Sequence, residues 1–387
     1  LTLGKRETHR AGVFITQQPG PDGYSAFIPH DLPPDPPLDA GPWLQNRLDQ
    51  ASRALGRLDG ITLLLPDPKL FLYTYARREA VLSSQIEGTQ STLSDLLLFE
   101  NEAIAAAASA DAAEVLNYGL AMEHGLQRIR SGFPLSLRLI REIHDVLVRG
   151  TRGSDKAPGE FRTSQNWIGG TRPGDAAFVP PPPHAVGPAL DNLERFLNDD
   201  ALRLPPLIKA GLAHAQFETI HPFLDGNGRV GRLLITFLLC QEKVLSQPLL
   251  YLSLYLKKHK QRYYDLLQRI RTHGEWEPWI DFYLEGVAEV ATEATSTAHR
   301  LVMLFEEDRR AIQALGRKGS VALRAHELLK ARAATTITGL AGTAKVSFPT
   351  ASSALQRLVT LGIAREITGR TRGQVFAYQK YLEALRD

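Results

Sequence analysis

Twelve consecutive residues, His221-Pro222-Phe223-Leu224-Asp225-Gly226-Asn227-Gly228-Arg229-Val230-Gly231-Arg232, constrain this chain more than any other stretch. They set an imidazole, a carboxylate, three glycines, an amide and two guanidinium groups between two apolar segments, and such a mixture makes poor core. Before them, Pro205-Pro206 opens a run with Leu207, Ile208, Leu212, Ala215, Phe217 and Ile220, whose spacing predicts a helix with one buried face ending at Pro222. After them, Leu233 to Cys240 is apolar nearly all round, as a central helix is. The twelve residues are therefore expected to form a loop that feeds the start of a buried helix.

That position favours an anion. Unpaired N–H groups and the positive end of the helix dipole point out of a helix start, so a phosphate can sit there. Gly226 and Gly228 let the backbone approach closely or take positive φ. Arg229 and Arg232 are three residues apart and are expected to share a helix face and fork onto phosphate oxygens. Asp225 is a hard oxygen ligand that suits Mg²⁺, an ion that takes one or two protein carboxylates beside phosphate oxygens. His221 is the group in the loop able to accept a proton near neutral pH. These are parts for moving a phosphorus group onto a hydroxyl.

The same residues match His-Pro-Phe-x-Asp-Gly-Asn-Gly-Arg-x-Gly-Arg at every fixed position, and in this the chain resembles the Fic family. The resemblance implies a mainly α fold, a Fic-type helical bundle with a β-hairpin flap. It also implies transfer of AMP from ATP to a Ser, Thr or Tyr hydroxyl of a protein, the enzyme itself included. His221 would be the general base and Asp225 the Mg²⁺ ligand. Gly226, Asn227, Gly228, Arg229 and Gly231 would cradle the phosphates, and Arg232 would hold the γ-phosphate. Related Doc kinases carry a lysine where this chain has Gly228, so Gly228 argues for AMP transfer over phosphate transfer.

A second stretch, Ser83-Ser84-Gln85-Ile86-Glu87-Gly88, fits the Ser/Thr-x-x-x-Glu-Gly/Asn pattern of the inhibitory helix in many Fic proteins. A glutamate one residue before a helix-ending glycine faces the negative end of the helix dipole and needs a cation. The resemblance supplies Arg232 as that cation. Glu87, with Ser83, would occupy the arginine that should grip ATP. Removal of AMP from a modified protein, with Glu87 positioning water, is an alternative within the same chemistry.

Other segments are placed by their patterns. Val13-Phe14-Ile15 and Ala26-Phe27-Ile28 are strand-like and predict a small hairpin outside the catalytic part. Helical periods run from Pro42 to Leu58, Pro68 to Glu87, Ala112 to Ile129, Ser136 to Val148 and Tyr251 to Thr272, with Asp67 and Ser136 as N-caps. Residues 89–110 read as a polar turn and an alanine-rich connection. Ile168 and Phe178 lie in two short apolar runs around a Gly/Pro/Asp turn, a hairpin for which the resemblance supplies the use of a flap pairing with an extended target. Trp167 and Phe178 are read as packing residues, and His144 and His214 as structural histidines. Tyr263 and Tyr264 either line an adenine pocket or are core aromatics. Residues 276–315 read as one or two helices.

The net charge of +3 conceals an asymmetry. Residues 312–387 hold twelve Lys or Arg against four acids, a net +8, which leaves −5 for the remainder. In this basic segment three helical runs, ending with Phe348 to Leu358, precede two strand-like runs that flank Arg370 and Arg372, a pattern like a winged helix-turn-helix. DNA is one partner for it; dimerisation or protein docking, with a homodimer as one outcome, is the other. The expected domains are an N-terminal helical region with the inhibitory helix (1–110), a Fic core (111–285), a helical linker (286–311) and the winged-helix domain (312–387). A chain of 387 residues, 43% hydrophobic and 22% charged, with one cysteine and no long apolar run, is expected to be soluble and cytoplasmic, with no membrane partner. A DNA-binding regulator that senses nucleotide through the same fold is the rival from another class.

Overall fold

The computed structural model describes residues 8–17, 23–62, 68–90, 92 and 110–384. The expected cap Asp67 and nearly all of the expected alanine-rich connection lie outside them. The chain opens with an antiparallel sheet of β1 (Thr8–His9), β2 (Gly12–Gln17) and β3 (Tyr24–Pro29), in which Val13 faces Ile28 and Phe14 faces Phe27. The helical body follows as α1 (Pro42–Thr62), α2 (Pro68–Ile86), α3 (Ala110–Arg130), α4 (Leu137–Val148) and α5 (Pro183–Asn198). It is completed by α6 (Pro206–Ile220), α7 (Asn227–Gln241), α8 (Ser253–Lys258), α9 (Lys260–His273) and α10 (Trp276–Gln313).

Local chemistry sets the helix ends. Proline opens α1, α2, α5 and α6, where its missing N–H costs nothing and its fixed φ suits the first turn. Ser136 caps α4 by accepting from the Leu139 N–H, a contact worth about 1 kcal/mol. Gly88 takes φ +104° just beyond α2, and Thr89 N–H donates back to Ser84 O, so the helix stops at Ile86.

The centre of the body is the pair α6 and α7, packed side by side. The sequence spacing predicted one buried face for α6; instead every residue from Leu207 to Ile220 is buried. The polar residues tolerate this because they find partners inside. Lys209 Nζ pairs with Glu242 at 2.9 Å, Gln216 Nε2 donates to His30 O at 2.7 Å, and Thr219 Oγ1 donates to Ala215 O at 2.8 Å. Helix α10 is one continuous helix of 38 residues, so the expected linker at 286–311 lies within a single helix. It packs along α1, with Arg47 paired to Asp281.

The flap is narrower than the sequence pattern suggested. It closes through one antiparallel bridge, Ile168 with Phe178, around a 3-10 turn at Pro173–Asp175. Asp175 organises that turn by accepting from Thr171 N and Arg172 N, while Gly169 and Gly170 at φ +71° bend the incoming strand. The N-terminal sheet, expected as a hairpin against the helical body and outside the catalytic part, braces the flap. Phe27 N–H donates to Val179 O at 2.9 Å, and its ring lies 6.0 Å from that of Phe178.

Beyond α10 the chain forms α11 (Ser320–Arg332), β4 (Ala334–Thr336), α12 (Ile337–Ala344), α13 (Phe348–Thr360), β5 (Ala364–Glu366), β6 (Val375–Tyr378) and α14 (Gln379–Ala384). Three helices thus stand with a three-stranded antiparallel sheet of order β4-β6-β5, and the basic turn joins β5 to β6. Strand β4 was not foreseen; it is three residues long and exists through its pairing with β6. Among the described residues no helix is long and apolar enough to cross a membrane.

Candidate active site

The loop between α6 and α7 is shaped by its own polar groups and by residues brought from the flap. His221 ends α6 in the left-handed region, φ 50°, and its N–H still donates to Phe217 O. Asn227 closes the loop: its Oδ1 accepts from Phe223 N at 2.8 Å and its Nδ2 donates to Phe223 O at 2.7 Å. From outside, buried Arg162 donates to the carbonyls of His221, Ile220 and Pro181, and Asn166 donates to those of His221 and Phe223. His144 stacks on the Phe223 ring at 3.7 Å; its Nδ1 accepts from Gly159 N, so its Nε2–H donates to Asp225 O at 3.0 Å. Both ring nitrogens are used, which makes His144 a structural histidine. His214 is one too, donating from Nδ1 to Gly231 O and accepting at Nε2 from the Tyr263 hydroxyl.

A cavity of about 600 Å³ opens over the loop and the start of α7. His221, Gly228 and Arg232 line one side, Tyr263 and Tyr264 another, and Trp167, Ile168 and Phe178 of the flap a third. Trp167, expected to be a packing residue, is 39% exposed at this wall, while Phe178 is buried as expected. Tyr263 is buried with its hydroxyl on His214, whereas Tyr264 is 40% exposed.

Arg232 does not point freely into the cavity. Its Nε donates to Ser83 Oγ at 2.8 Å, and its Nη2 donates to Ser83 O at 3.0 Å and to Glu87 Oε1 at 2.8 Å. Burial alone would depress the guanidinium, but Glu87 beside it holds it well above the ordinary range. Burial likewise pushes the Glu87 carboxyl up, and the Arg232 charge and hydrogen bond outweigh this and leave it lowered. Gly228 is where this contact needs a glycine, since a Cβ there would sit 2.3 Å from Glu87 Oε1.

The two arginines of the loop part company. They are three apart on one helix, yet Arg229 is fully buried against Glu114 at 3.2 Å and Asp225 at 3.3 Å, while Arg232 reaches α2. Helical spacing placed the two on one face, but the position of these acids, which spacing cannot reveal, gives them different partners here. Gly231 is likewise a packing glycine: a Cβ would lie 2.5 Å from Glu218 Oε1 on α6. Asp225 accepts from Gly226 N at 2.6 Å, keeps 28% of its side chain exposed, and has Arg152 at 3.7 Å. Among the described residues no group of three or more His, Cys, Asp or Glu could enclose a metal. An accessible carboxylate beside a helix start, with Arg229 and Arg152 for neighbours, fits Mg²⁺ that takes its other ligands from phosphates and water.

His221 is held neutral. Burial, then Arg271 and Arg162, lower its pKa to about 3. Two further groups at this wall were not singled out from sequence. Buried Glu218 lies three residues before His221, and Arg271 of α9 donates to Glu218 O at 3.0 Å and sits over the Phe178 ring at 4.1 Å. Their spacing carries no signal; α6 and α9 meet only in the fold.

Comparison with known proteins agrees with this geometry. Residues 45–127 match the Fic/DOC family N-terminal domain, and residues 134–239 match the Fic/DOC family domain. Protein adenylyltransferase Fic of Aedes aegypti is 34% identical over 154 residues, 38% of this chain and 28% of that protein. The Drosophila ananassae protein of the same name is 29% identical over 198 residues, 50% of this chain and 37% of its own. The chain thus spans about a third of the length of these curated relatives. A crystal structure of a Fic family protein from Desulfovibrio desulfuricans G20 has a TM-score of 0.57 at 20% identity, covering 88% of this chain and 97% of that one, and so shares the fold. Through residues 45–239 this chain belongs to the Fic/DOC family.

Proposed function

We propose that this chain transfers AMP from ATP to a Ser, Thr or Tyr hydroxyl of a protein, itself included, and that Glu87 holds the activity back. The observation that carries this reading is the contact of Arg232 with Ser83 and Glu87 at the wall of the cavity that also holds His221. A cavity of this size accommodates a nucleotide, and relatives 34% and 29% identical over part of the chain are named protein adenylyltransferases. With Glu87 withdrawn, Arg232 keeps its two contacts to Ser83 and its guanidinium charge loses the carboxylate that competes with the outer phosphates. The N–H groups at the start of α7 add positive potential, and Gly228 leaves room for an oxygen. His221, neutral and partly exposed at the cavity wall, takes the proton from the target hydroxyl as that oxygen attacks the α-phosphorus. Asp225 would hold Mg²⁺, which when bound neutralises phosphate charge. Tyr264, the more exposed of the two tyrosines, is the better placed to meet a base.

Intact mass after incubation with ATP and Mg²⁺ tests the reading. Glu87→Gly should gain the mass of one AMP, wild type should gain little, and the Glu87→Gly, His221→Ala double variant none. An unmodified Glu87→Gly protein, with no labelled target in a mixture of acceptor proteins, counts against it.

A second role is favoured by the C-terminal module. The first turn of α13 exposes Phe348, Pro349 and Thr350, and Lys345, Arg365, Arg370 and Arg372 are also exposed in this basic segment. We infer that this winged-helix arrangement binds DNA, with α13 as the reading helix and the turn on phosphates. Arg370→Ala should weaken binding to any duplex and reduce the salt dependence by about one phosphate; an unchanged salt slope argues for protein docking.

A further inference from the structure

We infer that Arg152 is a placeholder cation: it stands against Asp225 and Glu114, keeps a free divalent ion off Asp225, and so makes the metal–nucleotide complex the form that loads the site. This deepens the AMP-transfer reading and rests on it for the identity of the nucleotide.

The placement comes from the turn after α4. Asn117 on α3 donates from Nδ2 to Arg149 O at 2.7 Å, and the chain then winds through tight turns, Thr151 N–H donating to Val148 O and Ser154 N–H to Thr151 O. Gly153 takes φ +92°, which favours glycine, and a Cβ there would crowd Asp225 Cβ at 3.2 Å. The turn is thus pressed against the loop, and its Arg152 is delivered to the acids. Arg152 Nε lies 3.7 Å from Asp225 Oδ2 and 3.8 Å from Glu114 Oε1. Asp225 Oδ1 is already engaged by Gly226 N and Arg229 Nη2, and Glu114 Oε2 by Arg229 Nη1. Oδ2 is the oxygen left for a metal, and Arg152 stands before it.

The two guanidinium groups beside these acids differ in how firmly they are held. Arg229 is fully buried and hydrogen-bonded to both, so it is a fixed part of the loop. Arg152 keeps 49% of its side chain exposed, and its separations exceed hydrogen-bond length, so charge alone holds it there. Two carboxylates and two guanidinium groups leave these four residues without net charge. A bare divalent ion approaching Oδ2 must displace Arg152 and then stay beside it, like charge against like charge. A nucleotide changes the sign of that encounter. The metal–ATP complex is negative overall, and a triphosphate at the start of α7 gives the displaced guanidinium new acceptors. No covalent bond changes in this exchange; one cation yields a carboxylate oxygen to another, which makes Arg152 a positioning residue.

The test titrates the full chain with Mn²⁺ alone and follows the loss of the free ion's electron-spin signal. Arg152→Gln should bind Mn²⁺ about tenfold more tightly than wild type, and Arg152→Lys, which keeps the charge, should stay within about threefold of wild type. Asp225→Asn added to Arg152→Gln should abolish the gain. Unchanged or weaker binding by a folded Arg152→Gln protein overturns the inference. So does Arg152→Lys binding as tightly as Arg152→Gln, or a gain that survives Asp225→Asn and so places the ion elsewhere. A second measurement adds the nucleotide. In calorimetry of the Glu87→Gly protein with α,β-methylene-ATP, which cannot transfer AMP, at saturating Mn²⁺, Arg152→Gln should bind the complex no more tightly than its parent. A tenfold gain there as well overturns the loading role, because Arg152 would then oppose the metal in both states. Neither readout needs turnover, so absence of AMP transfer in every variant would strike the functional reading and leave the Mn²⁺ result standing.

Discussion

Two buried polar clusters hold this molecule together, and they differ in how easily each can open. At the cavity, Arg232 is gripped by Ser83 and Glu87. Where α10 meets the C-terminal module, Asp308 accepts from the Tyr378 hydroxyl at 2.7 Å and from Lys380 Nζ at 2.6 Å, and His326 Nε2–H donates to the same hydroxyl at 2.9 Å. Asp308 is 2% exposed and sits inside a continuous helix, so it cannot leave without unfolding that helix or stripping the tyrosine of its acceptor. Glu87 lies past the end of α2, beside a glycine, with 29% of its side chain exposed. A charge on a helix end can switch; one within a helix serves as a rivet.

The largest effect that tests this contrast comes from cutting both clusters. Glu87→Gly should raise self-labelling from near zero, at little cost in stability, because Arg232 keeps Ser83. Asp308→Ala should do the reverse. Removing one partner of a buried, hydrogen-bonded charge costs about 3 kcal/mol, seen as a lower denaturation midpoint by circular dichroism, with AMP transfer in the Glu87→Gly background unchanged. Stimulation of transfer by Asp308→Ala alone would make the second cluster a clamp as well, and the contrast would fail.

How far each cluster was legible in sequence follows the same division. The loop, the helices either side and the Ser83–Glu87 pattern were readable because they are local: the residues that matter lie within twelve or six positions of one another. The direction of Arg229 was not, since Glu114 lies 115 positions away. Nor was the complete burial of α6, whose lysine and glutamine are satisfied from Glu242 and His30. Nothing in the pattern joined Asp308 to Tyr378, 70 residues on. The flap's two apolar runs were visible, but its bracing by Phe27 of β3 was not, because strand neighbours in space leave no mark on spacing. Periodicity reports which face a residue occupies, and long-range partners decide what that face does there.

Acid should separate the clusters next. Burial lowers His326 to about 4, and burial also lowers His144 and His214 to about 4. A histidine with a folded pKa below its ordinary 6.5 takes up its proton only on unfolding, so stability is lost as pH falls from 6.5 toward 4. His326→Gln removes one such proton. The slope of unfolding free energy against pH in that window should flatten by up to about 1.4 kcal/mol per pH unit, measured by urea titration at several pH values. An unchanged slope would mean His326 is already charged in the fold and the rivet is an ionic network.

The smallest effect discriminates within the clamp itself. Ser83 holds Arg232 twice, through Oγ and through its main-chain carbonyl, and mutation can remove only the first. Ser83→Ala therefore deletes one charge-assisted hydrogen bond, worth about 1.5 kcal/mol, and leaves the carbonyl and Glu87 in place. If Ser83 and Glu87 jointly keep Arg232 from ATP, self-labelling should rise about tenfold, well short of the rise with Glu87→Gly. If Ser83 instead presents the guanidinium to the phosphates, the same substitution made in the Glu87→Gly background should slow labelling and raise the KM for ATP. An increase in the first protein with no loss in the second assigns Ser83 to restraint, and with it the whole last turn of α2 to the movable half of the molecule.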